Sequence, residues 1–530
     1  MKVLISDNLS QAGVEILEHA GITVDVNTGL SPDELKLIIG NYDGLVIRSA
    51  TKVTVDLLES AHKLKIVGRA GIGLDNVDIP AASQKGIVVM NAPDGNATTA
   101  AEHAIAMMMS LSRNIPQACQ SMKAGKWEKK KFMGREVTGK TFGVIGIGRI
   151  GGIAANRAQG LKMKTIAYDP HMPAEMAEKI GVELVSLKEL AGRSDYISVH
   201  VPMTPETKGL VSTEFFENMK NDAMFVDCAR GGVCDETALY EALKSKKIAG
   251  AALDVFAVEP TTIENCPLLG LDNFVCTPHL GASTNEAQES VALIIAEQVA
   301  DYLLKGSVTN AVNVPSVSDD VLAQVGPYLH LGEMLGCLHM QIAKGGVEEV
   351  NIEYSGELAE LDTGPVTVAF LKGLFTPILK DAVNYVNAPV IAKERGIRVV
   401  ESKSDTSDDF VNALAIKVVT SEGENVLVGT VFGRKEPRLV RLNAFRLEAM
   451  ASGPMLLVFN NDVPGVIGAL GTTLGKAGVN ISRMTVGREE ESNQNIILLS
   501  TDELVSKELL ADVTELENIT NAQVLDLTAV

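Results

Sequence analysis

Residues 142–151 have the sequence Phe-Gly-Val-Ile-Gly-Ile-Gly-Arg-Ile-Gly, an apolar run that leads through a G-x-G-x-x-G loop into a helical pattern. A strand that enters a helix through such a loop indicates a βαβ unit. Gly146 allows the tight turn, Gly148 lets backbone approach a pyrophosphate, and Gly151 lets the helix pack close to the sheet. Because the helix N-terminus offers unpaired N–H groups to phosphates, we predict a dinucleotide site here.

An acidic residue at the end of the next strand-like run indicates which dinucleotide is bound. Asp169 lies 18 residues after Gly151, close to the spacing at which an acid meets the ribose hydroxyls. A carboxylate there repels a 2′-phosphate, and no Arg follows it directly. The sequence therefore favours NAD over NADP.

Short apolar runs alternate with amphipathic segments in two sections of the chain, from Lys2 to about Asn91 and from Thr141 to about Pro278. Such alternation predicts parallel sheets with helices on both faces. The second section has six strand-like runs, the size of a full dinucleotide fold. The predicted strands are 3–6, 23–27, 44–48, 65–68 and 88–91, then 142–145, 165–168, 196–199, 224–227, 250–253 and 274–277.

The C-terminal part of the chain has a different pattern. Residues 314–452 show mixed α and β signals, with strands predicted at 349–354 and 413–420, and contain no motif that indicates chemistry. From Pro454 onward the order is strand, helix, strand, strand, helix, strand, which predicts a βαββαβ ferredoxin-like unit.

Composition excludes several classes of partner. The net charge of −20 argues against nucleic acid or an anionic membrane as the main partner. The six cysteines form no CxxC pair and have no metal-ligand spacing with His, which favours reduced thiols in a cytoplasmic protein without a metal site. We expect no membrane span and no signal peptide, because the N-terminus is short of apolar length and no run reaches about 18 apolar residues.

Three chemically complementary residues follow strands of the second section. Arg230, Glu259 and His279 each lie on a strand-exit loop, and ligands of open α/β sheets bind at that edge. Arg grips a carboxylate, a neutral His accepts the proton of a hydroxyl, and Glu orients the ring and stabilises its charged form. The trio predicts oxidation of a 2-hydroxy acid. The alternative is that these are structural or surface loop residues. By contrast, His103 lies within an apolar helix, and His279 is the better placed general base.

Five ordered motifs extend the interpretation: GRAGIGLDNVD at 68–78, the loop at 142–151, VDCARGG at 226–232, ALDVFAVEP at 252–260 and TPHLGA at 277–282. Over residues 1–313 the chain resembles the D-isomer-specific 2-hydroxyacid dehydrogenases. The resemblance implies a Rossmann domain beside a flavodoxin-like substrate domain, with catalytic roles for Arg230, Glu259 and His279. Ile72 departs from the Thr or Val of many members. The resemblance also implies a set of residues that contact NAD, namely Gly146, Gly148, Arg149, Ile150, Gly151, Asp169, Val201, Cys228, Ala229, Asp254, Gly281 and Ala282.

Two additional arginines narrow the predicted class of substrate. Arg48 and Arg69 each follow a strand of the first section, which predicts a substrate with a second anion such as a phosphate. The lysine-rich run 126–131 is either a further source of charge from a neighbouring subunit or a solvated face. By resemblance to long members of the family, Asn96 joins the substrate site, the substrate is 3-phospho-D-glycerate, and the reaction begins serine synthesis.

The same resemblance implies four domains: a substrate domain (1–97 with 285–313), an NAD domain (98–284), an α+β intervening domain (314–452) and an ACT domain (453–530). In the ACT domain, Asn460, Asp462 and Asn480 are predicted to hold L-serine as an inhibitor. Alternatively, Asp462 only caps the helix expected at Pro464. The family also implies a homodimer or homotetramer.

Three other functions compete with this interpretation. A glyoxylate or hydroxypyruvate reductase is disfavoured by Arg48, Arg69 and the 217 residues after position 313. A non-enzymatic NAD sensor on the same fold could retain the trio, but the terminal module suits a metabolic enzyme better. A chain devoted to amino-acid binding would not need the complete catalytic half.

Overall fold

The computed structural model describes residues 1–315, 319–405, 410–433, 435–489 and 493–529. Within these residues the chain forms sheets of five, seven and ten strands. The predicted combination of parallel α/β sheets with C-terminal α+β units is confirmed.

The first sheet is parallel and has the order β2-β1-β3-β4-β5, which is the flavodoxin-like order. Its strands are short and mostly buried because helices cover both faces. The elements are β1 (Lys2–Ile5), α1 (Gln11–His19), β2 (Thr23–Val26), α2 (Pro32–Ile38), β3 (Gly44–Ile47), α3 (Val55–Ser60), β4 (Ile66–Arg69), α4 (Ile79–Gln84) and β5 (Val88–Asn91).

The second sheet is also parallel, in the order β12-β11-β10-β9-β6-β7-β8. The strand order reverses beside β6, which places a crevice at its carboxyl end. All six predicted strands are present, and β8, of only two residues, is too short to show a periodicity. The elements are α5 (Ala97–Ser112), α6 (Ile115–Lys123), β6 (Thr141–Ile145), α7 (Arg149–Gly160), β7 (Lys164–Tyr168), α8 (Ala174–Lys179), β8 (Glu183–Leu184), α9 (Leu187–Arg193), β9 (Tyr196–Val199), α10 (Thr213–Asn218), β10 (Met224–Asp227), α11 (Glu236–Lys244), β11 (Gly250–Leu253) and β12 (Phe274–Cys276).

The long helix α12 (Asn285–Lys305) returns the chain from the second sheet to the first. Its Val291, Ile295 and Val299 are buried against the apolar core of the first sheet. A β-carbon at Gly68 would lie 2.7 Å from Val299 Cγ2, so the glycine allows the close approach of this helix to β4. The helix therefore packs as part of the first unit, although it follows the second sheet in the chain.

The C-terminal elements share one sheet, of order β14-β13-β15-β16-β17-β18-β20-β21-β19-β22. The predicted βαββαβ order after residue 453 is confirmed, but its edge strand β20 pairs with β18, so this unit and the preceding one form a single sheet. The elements are α13 (Asp319–Ile342), β13 (Val347–Gly356), α14 (Gly364–Leu379), α15 (Ala388–Glu394), β14 (Arg398–Ser404), β15 (Asn412–Thr420), β16 (Gly423–Phe432), β17 (Glu436–Leu442), β18 (Phe445–Ala449), β19 (Gly453–Asn461), α16 (Val466–Lys476), β20 (Ile481–Arg488), β21 (Gln494–Thr501), α17 (Lys507–Thr514) and β22 (Ile519–Leu527). Across the described ranges, no helix combines the length and the apolar character needed to cross a membrane.

Candidate active site

The strand-exit loops of the first and second sheets face each other across one cavity of about 1180 Å³, which we call the cleft. The predicted catalytic and substrate residues all line it: Arg48, Arg69, Asn96, Arg230, Glu259 and His279. Residues up to 231 positions apart in sequence, from Arg48 to His279, thus meet at one site.

His279 follows β12 and is held by the exit loop of the neighbouring strand β11. Its Nδ1 lies 2.9 Å from Glu259 Oε2, and Glu259 Oε1 accepts the N–H of Phe256 at 3.0 Å. Because a carboxylate only accepts, Nδ1 carries the proton and Nε2 is left as the basic nitrogen. The backbone of His279 has φ of 55°, in the left-handed region, and its N–H donates to Asp254 O at 2.9 Å. This backbone conformation is uncommon for a residue with a side chain.

Asp254, at the end of β11, organises the loop around His279. Its fully buried carboxylate accepts the N–H groups of Leu280 and Gly281, both at 2.8 Å. Burial raises the pKa of Asp254, but hydrogen bonds from His103, Thr277 and Leu280 outweigh it and leave the pKa below its usual value. Asp254 therefore supports the loop as an anion.

His103, which the sequence places within an apolar helix, contacts the group that organises the His279 loop. From α5 its Nε2 lies 3.2 Å from Asp254 Oδ1 and 3.0 Å from Thr277 Oγ1. The apolar helix pattern was right, but it gave no sign of which residue meets the buried carboxylate.

The cations of the cleft are each held by a neighbouring group. Arg230 donates from Nε to Asp75 Oδ2 at 2.9 Å and from Nη1 to Ala229 O at 2.6 Å. Arg69 donates from Nε to Asn76 Oδ1 at 3.3 Å, and Arg48 donates from Nη1 to a backbone carbonyl at 3.3 Å. Burial, followed by the positive charge of Arg230, lowers the pKa of Arg69 to about 10. The cleft is therefore strongly suited to a substrate with several negative charges.

Two cleft residues were not singled out by the sequence analysis. Asp75 and Asn76 lie in the motif 68–78, and Asn76 donates to the carbonyls of Arg48 and Thr51 at 2.7 and 2.6 Å. Their position inside a recognised motif was the available signal, but nothing in the spacing connects Asp75 with Arg230.

The loop after β6 has the geometry that a dinucleotide needs. Gly146 has φ of 85°, and a β-carbon there would lie 2.5 Å from Val201 Cγ1. A β-carbon at Gly151 would lie 2.0 Å from Gly146 O, so the helix packs directly on the loop. Gly148, the N-cap of α7, has open space around the same position. These residues fit a pyrophosphate at the helix N-terminus.

Asp169 has a second contact that the sequence did not indicate. Its carboxylate accepts the N–H of Ile147 at 3.0 Å and the N–H of His171 at 2.9 Å. Asp169 thus braces the nucleotide loop. Arg149, at the start of α7, forms an ion pair with Asp94. Ile150 follows Arg149 in α7, while Cys228 and Ala229 follow β10 and Ala282 lines the cleft.

The predicted effector residues are not brought together within one chain. Asn460 pairs with Asn495 at one end of β21, whereas Asn480 precedes the pairing of Ile481 with Thr501 at the other end. Six residues of strand separate these ends by roughly 20 Å. Asn480 Nδ2 donates to Asp502 Oδ2 at 3.0 Å.

The alternative role of Asp462 as a helix cap is also absent from the structure. The helix begins at Val466 rather than Pro464, and its N-cap is Gly465. Asp462 Oδ2 instead lies 3.3 Å from Arg488 Nη2.

Comparison with known proteins agrees with this architecture. Family models match residues 105–281 (D-isomer specific 2-hydroxyacid dehydrogenase, NAD binding domain), 324–443 (D-3-phosphoglycerate dehydrogenase intervening domain) and 455–518 (ACT domain). Among solved structures, the apo-structure of D-lactate dehydrogenase from Escherichia coli is similar with a TM-score of 0.52 and 31% identity, over 59% of this chain and 100% of that one. The fold and the site thus define an NAD-binding dehydrogenase of the D-isomer-specific 2-hydroxyacid class.

Full-length relatives narrow the class. The D-3-phosphoglycerate dehydrogenase of Methanocaldococcus jannaschii is 45% identical over 99% of this chain and 100% of its own length. That of Synechocystis sp. is 44% identical over 99% of this chain and 95% of its own length. The chain belongs to the D-3-phosphoglycerate dehydrogenase family, and the resemblance noted in the sequence is confirmed.

Proposed function

We propose that the chain catalyses the NAD-dependent oxidation of 3-phospho-D-glycerate to 3-phosphooxypyruvate, the first step of L-serine biosynthesis. The observation that carries the proposal is one cleft in which the His279–Glu259 pair faces three arginines. The relatives that match over 95–100% of their own length are named D-3-phosphoglycerate dehydrogenase. The alternative of a glyoxylate or hydroxypyruvate reductase does not account for the residues after position 313.

Arg230 and His279 act on the two ends of the hydroxy-acid group. A guanidinium has five N–H donors, and three of those of Arg230 remain after its bonds to Asp75 and Ala229 O. Two suffice to grip a carboxylate. His279 accepts the hydroxyl proton on Nε2, because Nδ1 is committed to Glu259. The Glu259 carboxylate then stabilises the resulting imidazolium.

Arg48 and Arg69 hold the phosphate, and Asn96 contributes a neutral contact. A phosphate with several acceptor oxygens suits guanidinium donors. Asn96 lines the cleft, and its side-chain amide can donate to an oxygen of the substrate. Its position at the N-cap of α5 keeps it at the cleft wall.

NAD fits the loop after β6 and, when bound, supplies the acceptor for the hydride. Gly146, Gly148 and Gly151 shape the loop, Arg149 offers its charge to the pyrophosphate, and Asp169 faces the ribose. The remaining residues assigned to NAD are Ile150, Val201, Cys228, Ala229, Asp254, Gly281 and Ala282.

The finer assignments outside the cleft belong to the same proposal. We assign residues 1–97 with 285–313 to the substrate domain, 98–284 to the NAD domain, 314–452 to the intervening domain and 453–530 to the ACT domain. L-Serine is the proposed inhibitor at Asn460, Asp462 and Asn480. Since those residues lie at opposite ends of one ACT sheet, the site requires paired ACT domains in a homo-oligomer.

Turnover decides the proposal. NADH absorbance is followed with 3-phospho-D-glycerate, D-glycerate, D-lactate and D-2-hydroxyglutarate and, because such equilibria favour the alcohol, also with the corresponding 2-oxo acids and NADH. We expect the highest kcat/KM with the phosphorylated acid. Preference for an unphosphorylated acid would refute the assignment of 3-phospho-D-glycerate as the substrate. Absence of turnover in both directions would refute the proposal that the chain is a dehydrogenase.

A further inference from the structure

The strongest unassigned feature of the cleft is an ion pair between its two walls. Asp75, from the loop after β4, accepts the Nε–H of Arg230, from the loop after β10, at 2.9 Å. The two residues are 155 positions apart, and their loops follow strands of different sheets. Arg230 is the residue proposed to grip the substrate carboxylate, so its orientation controls the reacting end of the substrate.

We propose that Asp75 is a positioning residue, which fixes the guanidinium of Arg230 so that its terminal N–H groups face the carboxylate of the substrate. The inference rests on the proposed function of the cleft and adds to it a residue that determines how the carboxylate is recognised.

The contacts of Arg230 show why one anchor is not enough. Nη1 donates to Ala229 O at 2.6 Å, which fixes one end of the group but leaves rotation about that bond. The bond from Nε to Asp75 fixes the opposite edge. Together the two acceptors define the plane of the guanidinium and leave one N–H of Nη1 and both N–H groups of Nη2 for the carboxylate of the substrate.

The backbone at Gly73 leaves room for the guanidinium of Arg230 in this position. A β-carbon at Gly73 would lie 1.9 Å from Arg230 Nη2 and 2.9 Å from Asp75 Oδ2. The guanidinium therefore lies directly over the chain at Gly73, and any side chain there would displace it. The motif places Gly73, Asp75 and Asn76 together, so one loop positions Arg230 and, through Asn76, Arg69.

Charge alone gives the opposite expectation, which makes the inference testable. Asp75 is 63% exposed, so water and salt weaken its field. If its charge mattered only by repelling the anionic substrate, removing it would lower KM. If it positions Arg230, removing it raises KM despite the lost repulsion.

The experiment compares Asp75→Ala, Asp75→Asn and Gly73→Ala in the full-length protein, with both D-3-phosphoglycerate and D-glycerate. Loss of a charge-assisted hydrogen bond at Arg230 predicts that Asp75→Ala raises KM for both acids about tenfold and by a similar factor, with KM for NAD within about twofold. Asp75→Asn keeps an acceptor oxygen and should recover most of the loss. Gly73→Ala should reproduce it, because the added methyl group would separate the guanidinium from Asp75 without removing the carboxylate.

Asp301→Ala is the matched control, because Asp301 is also an exposed carboxylate paired with a cation, Lys305, but on α12 away from the cleft lining. Unchanged or lowered KM in Asp75→Ala, or a loss confined to the phosphorylated acid, would overturn the inference alone. If the wild type uses only D-glycerate, the phosphate assignment fails while the Asp75 test proceeds on that acid. If the wild type uses neither acid, both proposals fail.

Discussion

His279 Nδ1 and Glu259 Oε2 lie 2.9 Å apart, although 20 residues separate them in the chain. Both side chains are partly exposed to the cleft, at 50% and 38%. The pair is therefore open to the cleft, and Nε2 of the imidazole is the nitrogen that we propose accepts the hydroxyl proton.

Glu259→Gln tests the contribution of the carboxylate charge. The amide has one acceptor oxygen, so it can keep the bond from Nδ1–H only by giving up the bond from the Phe256 N–H, and it cannot stabilise an imidazolium as the carboxylate does. Since a well-placed acid–base group contributes about 10²–10⁴-fold, kcat should fall about 100-fold while KM for NAD is unchanged. Steady-state kinetics measure both, with Glu214→Gln on α10 as the control. A kcat within twofold of the wild type would contradict the role of Glu259.

Arg69→Gln tests the phosphate contact separately from the chemistry. Arg69 is held by Asn76 and packed near Arg230, so the variant removes a positioned cation from the cleft. A charge-assisted phosphate contact is worth roughly 1.5–3 kcal/mol, which predicts about a 10–100-fold loss of kcat/KM with the phosphorylated acid. D-Glycerate should be affected less than about threefold. Arg193→Gln, which removes an exposed arginine paired with Glu183, controls for net charge. Equal losses on both acids would exclude a phosphate-specific role.

Asp169→Ala and Asp169→Asn separate two roles of the same carboxylate. Both variants remove the charge that repels a 2′-phosphate, but only Asn retains an oxygen for the Ile147 N–H. We expect the ratio of kcat/KM for NAD to that for NADP to fall about tenfold in both variants, the size of one weakened charge interaction. Only Asp169→Ala should also weaken NAD binding through the loop. An unchanged ratio in both variants would show that Asp169 does not select the cofactor.

The sequence predicted the strand exits of the cleft because each exit is a local pattern. An apolar run of four residues followed by a polar loop identifies the positions of Arg230 and His279 without knowledge of the partner strands. Parallel pairing then puts those exits on one edge. The same local logic predicted the six longer strands of the second sheet.

What the sequence could not predict are contacts that depend on the relative placement of distant elements. His103 meets Asp254 from a helix 151 positions away, and Asp75 meets Arg230 across the cleft. The pairing of β18 with β20 involves one register pair, Arg446 with Arg488, and has no periodic signature. Neither propensity nor spacing encodes these distances, since they follow from how the sheets pack.

Mixed oligomers test whether the effector site is shared between subunits. Within one chain Asn460 and Asn480 are at opposite ends of the ACT sheet, so a shared site takes one from each subunit. We expect Asn460→Ala and Asn480→Ala each to raise the serine concentration for half-inhibition at least about tenfold, as for a lost polar contact that leaves a buried partner unpaired. Oligomers assembled from both variants should recover part of the inhibition, because some of their sites are intact. Full inhibition of either single variant would place the effector elsewhere.

Asp227→Asn tests a buried carboxyl that the sequence analysis left without a role. Asp227, at the end of β10, accepts the N–H of Ala229 at 2.8 Å, and burial raises its pKa from 3.8 to about 7. Between these two values the folded chain holds a proton that the unfolded chain has released, so this group lowers stability as the pH rises towards 7. Asn keeps the acceptor oxygen and does not titrate.

The stabilising effect of Asp227→Asn should therefore increase with pH. Between pH 5 and pH 8 the gain in free energy of unfolding should grow by roughly 2–3 kcal/mol. This growth corresponds to the pH interval between 5 and about 7, the pKa of Asp227 in the folded protein. Calorimetric unfolding of both proteins across this range measures the difference, and the exposed Asp301→Asn should show no such trend. A difference that stays constant with pH would mean that Asp227 is already ionised in the folded protein at pH 5. Asp227 would then be a fixed anion near Arg230 rather than a neutral acceptor for the loop.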